Sequence, residues 1–312
     1  MKKDELNRQG ERLSRVMWLL VIVPAAAVIG VLYCALNLHN ALLSVLCAVG
    51  GILLTAGISK ILSARYDAWE KGRRECLNFD AILGEYLELE RFEPDRGLDP
   101  SEIEDLFPQK PLYRLDQRNL IRGRWHGLRL DSAHVHYYNK THDSDGVADT
   151  NSIVRGQVAI VQASTGFPGR LLLLRGQKDA SPGLVRDIRN HFMDKRFLVK
   201  RLNLEGRSVD PGEALAERWY ACSDASDAAA RLLKANEVFV KRLAGANRLE
   251  AVLVESGRVA LIGDYGFETS NPGLGVNRTE AACRSALSAL VSEGLETVEA
   301  LCGPEGQATD SE

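Results

Sequence analysis

Two histidines separated by a single residue are the sharpest chemical feature of the chain. His134 and His136 lie in residues 133–138, whose pattern indicates a β-strand. Residues i and i+2 of a strand point to the same face, so both imidazoles can reach one metal ion. A third ligand is available a few residues later from His142, Asp143 or Asp145. This spacing makes His134 and His136 candidate metal ligands.

The same segment also has a purely structural interpretation. Val135 and Tyr137 would form the buried face of the strand, both histidines would face solvent, and Asp143-Ser-Asp-Gly would be an ordinary turn. The chain contains no Gly-x-Ser-x-Gly motif, and residues 164–169, although glycine-rich, lack the lysine of a phosphate-binding loop and are interpreted as a turn. No catalytic residue and no cofactor is predicted. Whether the protein is an enzyme stays open, and a non-enzymatic role is favoured.

The elements that must position this segment begin with a long apolar stretch near the N-terminus. Residues 16–59 contain no Asp, Glu, Lys or Arg. A helix rises about 1.5 Å per residue and needs about 20 apolar residues to cross about 30 Å of hydrocarbon. We therefore predict two transmembrane helices, 16–38 and 41–62, which form a hairpin over 16–62 with a tight turn around His39. A secretory signal peptide has a shorter apolar region and no second span directly behind it.

Small residues recur at a spacing of four along both predicted spans. They are Ala26, Gly30 and Cys34 in the first span and Cys47, Gly51, Thr55 and Ser59 in the second. A spacing of four keeps residues on one helix face, and small side chains let helices approach closely in lipid. The pattern favours a hairpin that packs on itself. Homo-oligomer formation through the same residues is the alternative.

Basic residues flank the hairpin on both sides. Residues 1–15 contain five Lys and Arg, residues 60–74 contain five more, and the intervening turn has no formal charge. Because Lys and Arg are concentrated on the cytoplasmic side of membrane helices, we expect a basic cytoplasmic N-terminus and a cytoplasmic C-terminus. Six scattered cysteines without a Cys-x-x-Cys motif agree with a reducing compartment.

The rest of the chain predicts a helical stalk over 63–112, an α+β domain over 113–303 and a disordered tail over 304–312. The stalk helix is expected from Arg65 to about Arg91, with a short helix beginning at Asp99-Pro100. Alternation with period two and short connections favour a mostly antiparallel sheet. Residues 121–131 and 133–138 are expected to form strands around a turn at Gly127 or Asp131. The other expected strands are 154–163, 170–175, 199–204, 218–222, 248–255 and 258–263, and the expected helices are 226–243 and 278–301.

Charge is distributed unevenly along the chain. The formal net charge is −3, yet residues 1–65 hold seven Lys and Arg against three Asp and Glu, so the remainder is acidic. An acidic domain argues against bulk binding of nucleic acid, which requires a cationic surface. Nucleic-acid binding would still be possible through a concentrated basic face. The candidate residues for such a face are Arg114, Arg118, Arg122, Arg124 and Arg129.

Several segments resemble the DUF3137 family, a group of bacterial membrane-anchored proteins, and the resemblance covers most of the chain. It rests on the twin N-terminal spans, on Ile121-Arg-Gly-Arg-Trp-His-Gly, on His134-Val-His-Tyr-Tyr, on Val154-Arg-Gly-Gln-Val-Ala-Ile and on residues 218–233. The chain departs from the family at Arg155-Gly156-Gln157, where members usually have a Phe-Lys-Gly-like start. The resemblance implies an inner-membrane location and an α+β domain but no activity. It also implies an interaction role, because some members sit beside LemA-like membrane proteins.

These observations together predict a two-span inner-membrane protein that acts as a binding or scaffolding module. Its expected partners are the lipid bilayer and a membrane or cytosolic protein, LemA-like in the family resemblance, rather than nucleic acid. The alternative is a metal-dependent, membrane-associated enzyme built around His134 and His136.

Overall fold

The computed structural model describes residues 3–36, 41–108, 113–142, 148–176, 195–265 and 276–302. The chain divides into two units, of which the first contains Met1–Asn78 and Glu268–Cys283 and the second contains Phe79–Phe267 and Arg284–Glu312. The predicted turn around His39 and the predicted tail over 304–312 lie outside the described residues.

The first unit is built around a long helical hairpin. Helix α1 covers Lys3–Met17, α2 covers Leu19–Leu36 and α3 covers Ala41–Cys76. Only Trp18 interrupts the first arm, so Lys3–Leu36 and Ala41–Arg73 are two helices long and apolar enough to cross a membrane. Their apolar side chains are exposed, with Leu36 at 68% and Leu42 at 71%, whereas the core helix of a soluble protein would bury them. The α+β class with two long apolar N-terminal helices is therefore confirmed.

The two arms pack against each other in antiparallel fashion. Near the tip, the Ser44 hydroxyl donates to the Val31 carbonyl over 3.5 Å. In the middle, a Cβ atom built on Gly51 would lie 2.3 Å from the Cβ atom of Ala27. Near the base, the Trp69 indole Nε1 donates to the Leu6 carbonyl over 2.9 Å. The predicted self-packed hairpin is present, although Ala27 rather than Ala26 forms the close contact with Gly51.

Helix α1 was not anticipated, because its charges were interpreted as a basic tail. Leu6 and Gly10 are nevertheless buried, and a Cβ atom on Gly10 would lie 3.0 Å from the Trp69 ring. Residues 3–15 are thus a helical extension of the hairpin. At the same end, Arg73 is fully buried, pairs with Glu70 at 2.5 Å and lies 4.9 Å from the Trp69 ring centroid.

The second unit contains one nine-stranded sheet in which every pair of neighbouring strands is antiparallel. The spatial order is β1-β2-β3-β4-β9-β8-β5-β7-β6. The strands are β1 Glu88–Glu93, β2 Tyr113–Trp125, β3 Leu128–His142, β4 Ala148–Gln162, β5 Leu171–Arg175, β6 Ser208–Val209, β7 Trp219–Ser223, β8 Leu249–Val254 and β9 Arg258–Gly263.

Short helices surround this sheet. They are α4 Phe79–Gly84, α5 Pro100–Ile103, α6 Lys195–Arg201, α7 Glu213–Ala216, α8 Ser226–Ala235 and α9 Glu237–Gly245. The C-terminal helix begins as α10 Val276–Ala289, passes through a π-helical turn at Leu290–Leu295 and ends as α11 Glu296–Cys302. Helix α5 begins where predicted, since Asp99 and Glu102 form a capping box.

One face of the sheet carries the main hydrophobic core. Alternate residues of β3 and β4, including Val135, Tyr137 and Val158, are fully buried there with side chains from α5 and α6. Tyr137 also donates its hydroxyl to the Pro108 carbonyl over 2.8 Å. Period-two alternation therefore leaves the other face of β3 to Ser132, His134 and His136.

Three predicted elements differ from the structure. Residues 199–204, predicted as a strand, include the end of helix α6 and the turn after it. Leu198 of the helix and Leu202 of the turn both join the core, and the Leu202 N–H donates to the Leu198 carbonyl over 3.0 Å. The helix predicted from Arg65 to about Arg91 ends at Cys76, and residues 88–93 form β1, which pairs with β2. The helix predicted over 226–243 is divided at Asn236, whose side chain accepts from the Phe239 N–H and caps α9.

Two glycines within residues 121–127 have structural roles. Gly123 lies so close to β1 that a Cβ atom would be 2.7 Å from the Glu88 carbonyl oxygen. Gly127 closes the β2–β3 turn with φ +83°, a conformation that favours glycine. This segment therefore shapes the sheet edge and the turn rather than a reactive site.

Candidate functional site

Both candidate histidines line the same depression on the polar face of the sheet. Its volume is about 390 Å³, and its charged lining comes from three neighbouring strands. Arg118 of β2 lies opposite His134 of β3, and Asp116 lies opposite His136. Beyond His136, Arg155 of β4 completes the row. We call this depression the histidine pocket.

The inner wall of the histidine pocket is buried and polar. His134 is 7% exposed and lies opposite Gln157, which is 2% exposed. The Gln157 amide donates to the Ser132 hydroxyl over 2.8 Å, and that hydroxyl donates to the Val158 carbonyl over 3.0 Å. These bonds fix the Gln157 side chain beside His134. The expectation that both histidines face solvent is thus wrong for His134, although Val135 and Tyr137 do form the buried face.

The outer part of the histidine pocket is half-buried and more strongly charged. Burial lowers the pKa of His136, Arg155 and Arg118 lower it further, and Asp116 opposes them. The Tyr138 ring lies 4.7 Å from the His136 ring, and burial together with a hydrogen bond to Asp116 raises the pKa of Tyr138. The His136 imidazole is therefore held in its neutral form at pH values where a free histidine would begin to protonate.

The geometry of the histidine pocket favours one part of the metal prediction and opposes another. His134 and His136 share a face as expected, and Asp116 is the carboxylate closest in register. Two guanidinium groups in the same lining oppose a cation. Among the described residues, no group of three or more His, Cys, Asp and Glu side chains is arranged to hold a metal ion. The side chain of His142 and the positions of Asp143 and Asp145 lie outside the described part of the chain, so metal binding stays a prediction.

From the sequence, Arg118 was expected in a basic cluster. The positions of Arg118, Asp116 and Arg155 beside the histidines were not predicted. The strand alternation was visible, but the pairing register between β2, β3 and β4 was not. The five arginines of that cluster are also divided. Arg118 lines the histidine pocket, whereas Arg122 and Arg129 face the other side and lie 3.4 Å and 3.5 Å from the Asp131 carboxylate.

A second depression of about 700 Å³ lies among the turns at the end of β5, β8 and β9. Its charged groups already pair with one another: Glu255 lies 2.9 Å from Arg170 and 2.5 Å from Arg258. Thr165 donates to the Glu255 carbonyl over 2.6 Å, which anchors the glycine-rich stretch as the predicted turn. This depression therefore offers a ligand little uncompensated charge.

The aromatic residues considered for base stacking lie mainly in the core. Trp125 and Trp219 are buried, and Trp219 Nε1 donates to the Leu243 carbonyl over 3.0 Å. Tyr220 is 62% exposed and is not a core anchor, which corrects that part of the interpretation. All six cysteines are free thiols.

Comparison with known proteins adds no further constraint on the site. No protein-family model matches the chain, and neither the curated proteins nor the solved structures include a detectable relative.

Proposed function

We propose that the protein is a membrane-anchored binding module. In this proposal the two-span hairpin holds the α+β domain at the cytoplasmic face of a bacterial inner membrane, with both chain termini in the cytoplasm. The domain captures a protein partner that presents an acidic side chain to the histidine pocket. A LemA-like membrane protein and a second copy of the chain are the partners to test first.

The charge balance of the histidine pocket is the observation that carries the binding role. Arg118 and Arg155 supply two permanent positive charges, and Asp116 supplies the one carboxylate in the lining. His136 can gain a proton when an anion arrives, because a nearby negative charge raises the pKa of an imidazole. A guanidinium group holds a carboxylate through two parallel hydrogen bonds, which adds directional specificity.

The first charges on the two arms support the topology. Arg15 on the first arm and Lys60 on the second mark the ends of the apolar stretches. About 20 residues of each arm lie beyond these charges, which matches about 30 Å of hydrocarbon. Both basic flanks therefore lie on one side of the bilayer, the cytoplasmic side by the charge rule. A reporter fused after Glu312 that is active only outside the cytoplasm would overturn this orientation.

The binding role is tested by mass spectrometry of proteins that co-purify with the gently solubilised full chain. Arg118→Gln/Arg155→Gln should lose a stoichiometric partner. Arg91→Gln/Arg124→Gln removes the same charge from exposed positions on the opposite face of the same sheet and should retain it. Equal recovery with both variants would refute capture by the histidine pocket.

Metal-dependent catalysis remains the second candidate, because both imidazoles and Asp116 line one pocket. Zinc should then co-purify in a stoichiometric amount and disappear in His134→Ala/His136→Ala. If bound zinc or any activity survives that double change, the enzyme hypothesis fails at this site.

A further inference from the structure

We propose that the groove between α1 and the C-terminal part of α3 holds one anionic phospholipid. Its phosphate would lie between Arg12 and Arg65, and an acyl chain would run along Leu13, Val16 and Leu62 toward the bilayer. This inference rests on the proposed membrane insertion of the hairpin and adds a specific lipid to it.

The groove lies at the height of the lipid headgroups. Val16 begins the apolar stretch of the first arm, and Arg12 lies one helical turn, about 6 Å, farther from the hydrocarbon. The headgroup region on each side of a bilayer is about 5–8 Å deep. On the opposite arm, Arg65 lies about one turn beyond Leu62, so both guanidinium groups reach the depth of a lipid phosphate.

The shape and chemistry of the groove match an amphipathic ligand. Its volume is about 510 Å³, and its lining combines the apolar side chains of Leu13, Val16 and Leu62 with the cationic side chains of Arg12 and Arg65. No carboxylate is among the described residues that line it. Val16 and Leu62 adjoin the exposed apolar surface of the spans, which gives an acyl chain a direct path and would give a free phosphate no benefit.

The floor of the groove is fixed before any lipid arrives. Trp69 is 2% exposed, its indole N–H donates to the Leu6 carbonyl over 2.9 Å, and its ring contacts Gly10. A preformed site avoids the entropic cost of ordering its walls upon binding.

Two guanidinium groups on one groove favour the binding of an anion. Within the part of the chain that the structure describes, neither Arg12 nor Arg65 takes part in an ion pair. Both side chains are exposed and can adjust to a phosphodiester, which accepts hydrogen bonds from each guanidinium. A zwitterionic lipid offers the same phosphate with a compensating cation, so an anionic lipid should be preferred.

The test is native mass spectrometry of the full chain in mild detergent, titrated with phosphatidylglycerol or with phosphatidylcholine of the same acyl chains. The wild type should bind one phosphatidylglycerol in preference. Arg12→Gln/Arg65→Gln should weaken that adduct about thirtyfold. Arg8→Gln/Lys60→Gln removes two charges from the same collar but neither residue lines the groove, so salt screens both from the phosphate and the adduct should weaken less than about threefold. Unchanged circular dichroism and thermal midpoint establish that both variants fold.

Three outcomes would overturn the proposal. Equal weakening in both variants would assign the lipid to the diffuse basic collar. Equal binding of both lipids would remove the need for an anion. Complete competition by glycerol phosphate would show a headgroup-only site without an acyl chain. Extraction of the chain from membranes by carbonate would instead refute the membrane insertion itself, which separates failure of the proposed function from failure of the lipid site.

Discussion

Glu293 connects the C-terminal helix to the start of β8 through hydrogen bonds, and its replacement tests how much these bonds stabilise the domain. It lies in the π-helical turn Leu290–Leu295, and one carboxylate oxygen accepts three consecutive backbone N–H groups. The distances are 2.8 Å from Asn247 N, 2.6 Å from Arg248 N and 3.3 Å from Leu249 N. Glu293→Ala would leave these three donors without the carboxylate.

The expected cost follows from the exposure of the three donors. Water can replace the carboxylate at Asn247, where the bond is exposed, but less readily at Arg248 and Leu249, where the bonds are part-buried. A hydrogen bond to a charged group contributes about 1.5–3 kcal/mol, and the longer bond to Leu249 contributes less. The total is about 3 kcal/mol, which for a unit of this size lowers the thermal midpoint by about 6–12 °C. Glu293→Gln keeps a neutral acceptor, so its thermal midpoint should lie between those of the wild type and Glu293→Ala.

The measurement is thermal unfolding of the solubilised full chain together with hydrogen–deuterium exchange of peptides that cover residues 247–254. The matched control is Glu296→Ala, one turn farther along, which removes a partly exposed ion pair with Arg242. Such a pair contributes less than about 1 kcal/mol, so its midpoint should fall by less than about 4 °C. A Glu293→Ala midpoint within the range of the control, with unchanged exchange in β8, would refute the reasoning.

Three further predictions concern both units. His136→Gln should flatten the dependence of stability on pH. Because the pKa of His136 is lowered in the folded state, the unfolded chain binds the proton more tightly, so wild-type stability is retained above about pH 6.5 and falls as the pH drops through that value toward the pKa of the folded state. Urea unfolding at several pH values should show this loss only in the wild type. Gly51→Leu should destabilise the hairpin by about 1–3 kcal/mol because of the contact with Ala27, whereas Gly50→Leu, with nothing within 4 Å of a Cβ atom, should leave the thermal midpoint unchanged. Arg73→Met removes the buried partner of Glu70 and should cost about 3–5 kcal/mol in thermal unfolding, and adding Glu70→Gln should recover part of the loss. Equal midpoints for the single and double variants would contradict the last prediction.

The sequence predicted those parts of the fold that local pattern determines. The apolar stretches and the β8–β9 hairpin follow from composition and period. For the β2–β3 turn, the sequence left Gly127 and Asp131 as alternatives, and the structure has the turn at Gly127. Helix α1 did not, because its two buried residues, Leu6 and Gly10, become buried only against Trp69, far along the chain. The end of helix α6, residues 199–201, was predicted as part of a strand for a related reason: a short apolar run is compatible with either period, and tertiary contacts decide between them.

The candidate site was predictable only within one strand. Spacing placed His134 and His136 on the same face, but the charges that decide the chemistry of the pocket come from neighbouring strands. Arg155 reaches His136 through the register of β3 with β4, and Asp116 through the register of β2 with β3. Register depends on long-range packing, so one sequence alone predicts a pair of possible ligands and not the cations beside them.

One irregularity in β2 determines which arginines reach the histidine pocket. Asn119 adopts φ 58°, donates its backbone N–H to the Pro94 carbonyl over 2.9 Å, and coincides with a shift of register between Arg118 and Ile121. A one-residue offset moves every later side chain to the other face of the sheet. Without the shift, Arg122 would share the face of Arg118 and extend it into a basic strip suited to a polyanion. With it, Arg122 pairs with Asp131 on the far side, and Arg118 is the arginine of β2 that lines the histidine pocket, where the proposed single anionic group would bind.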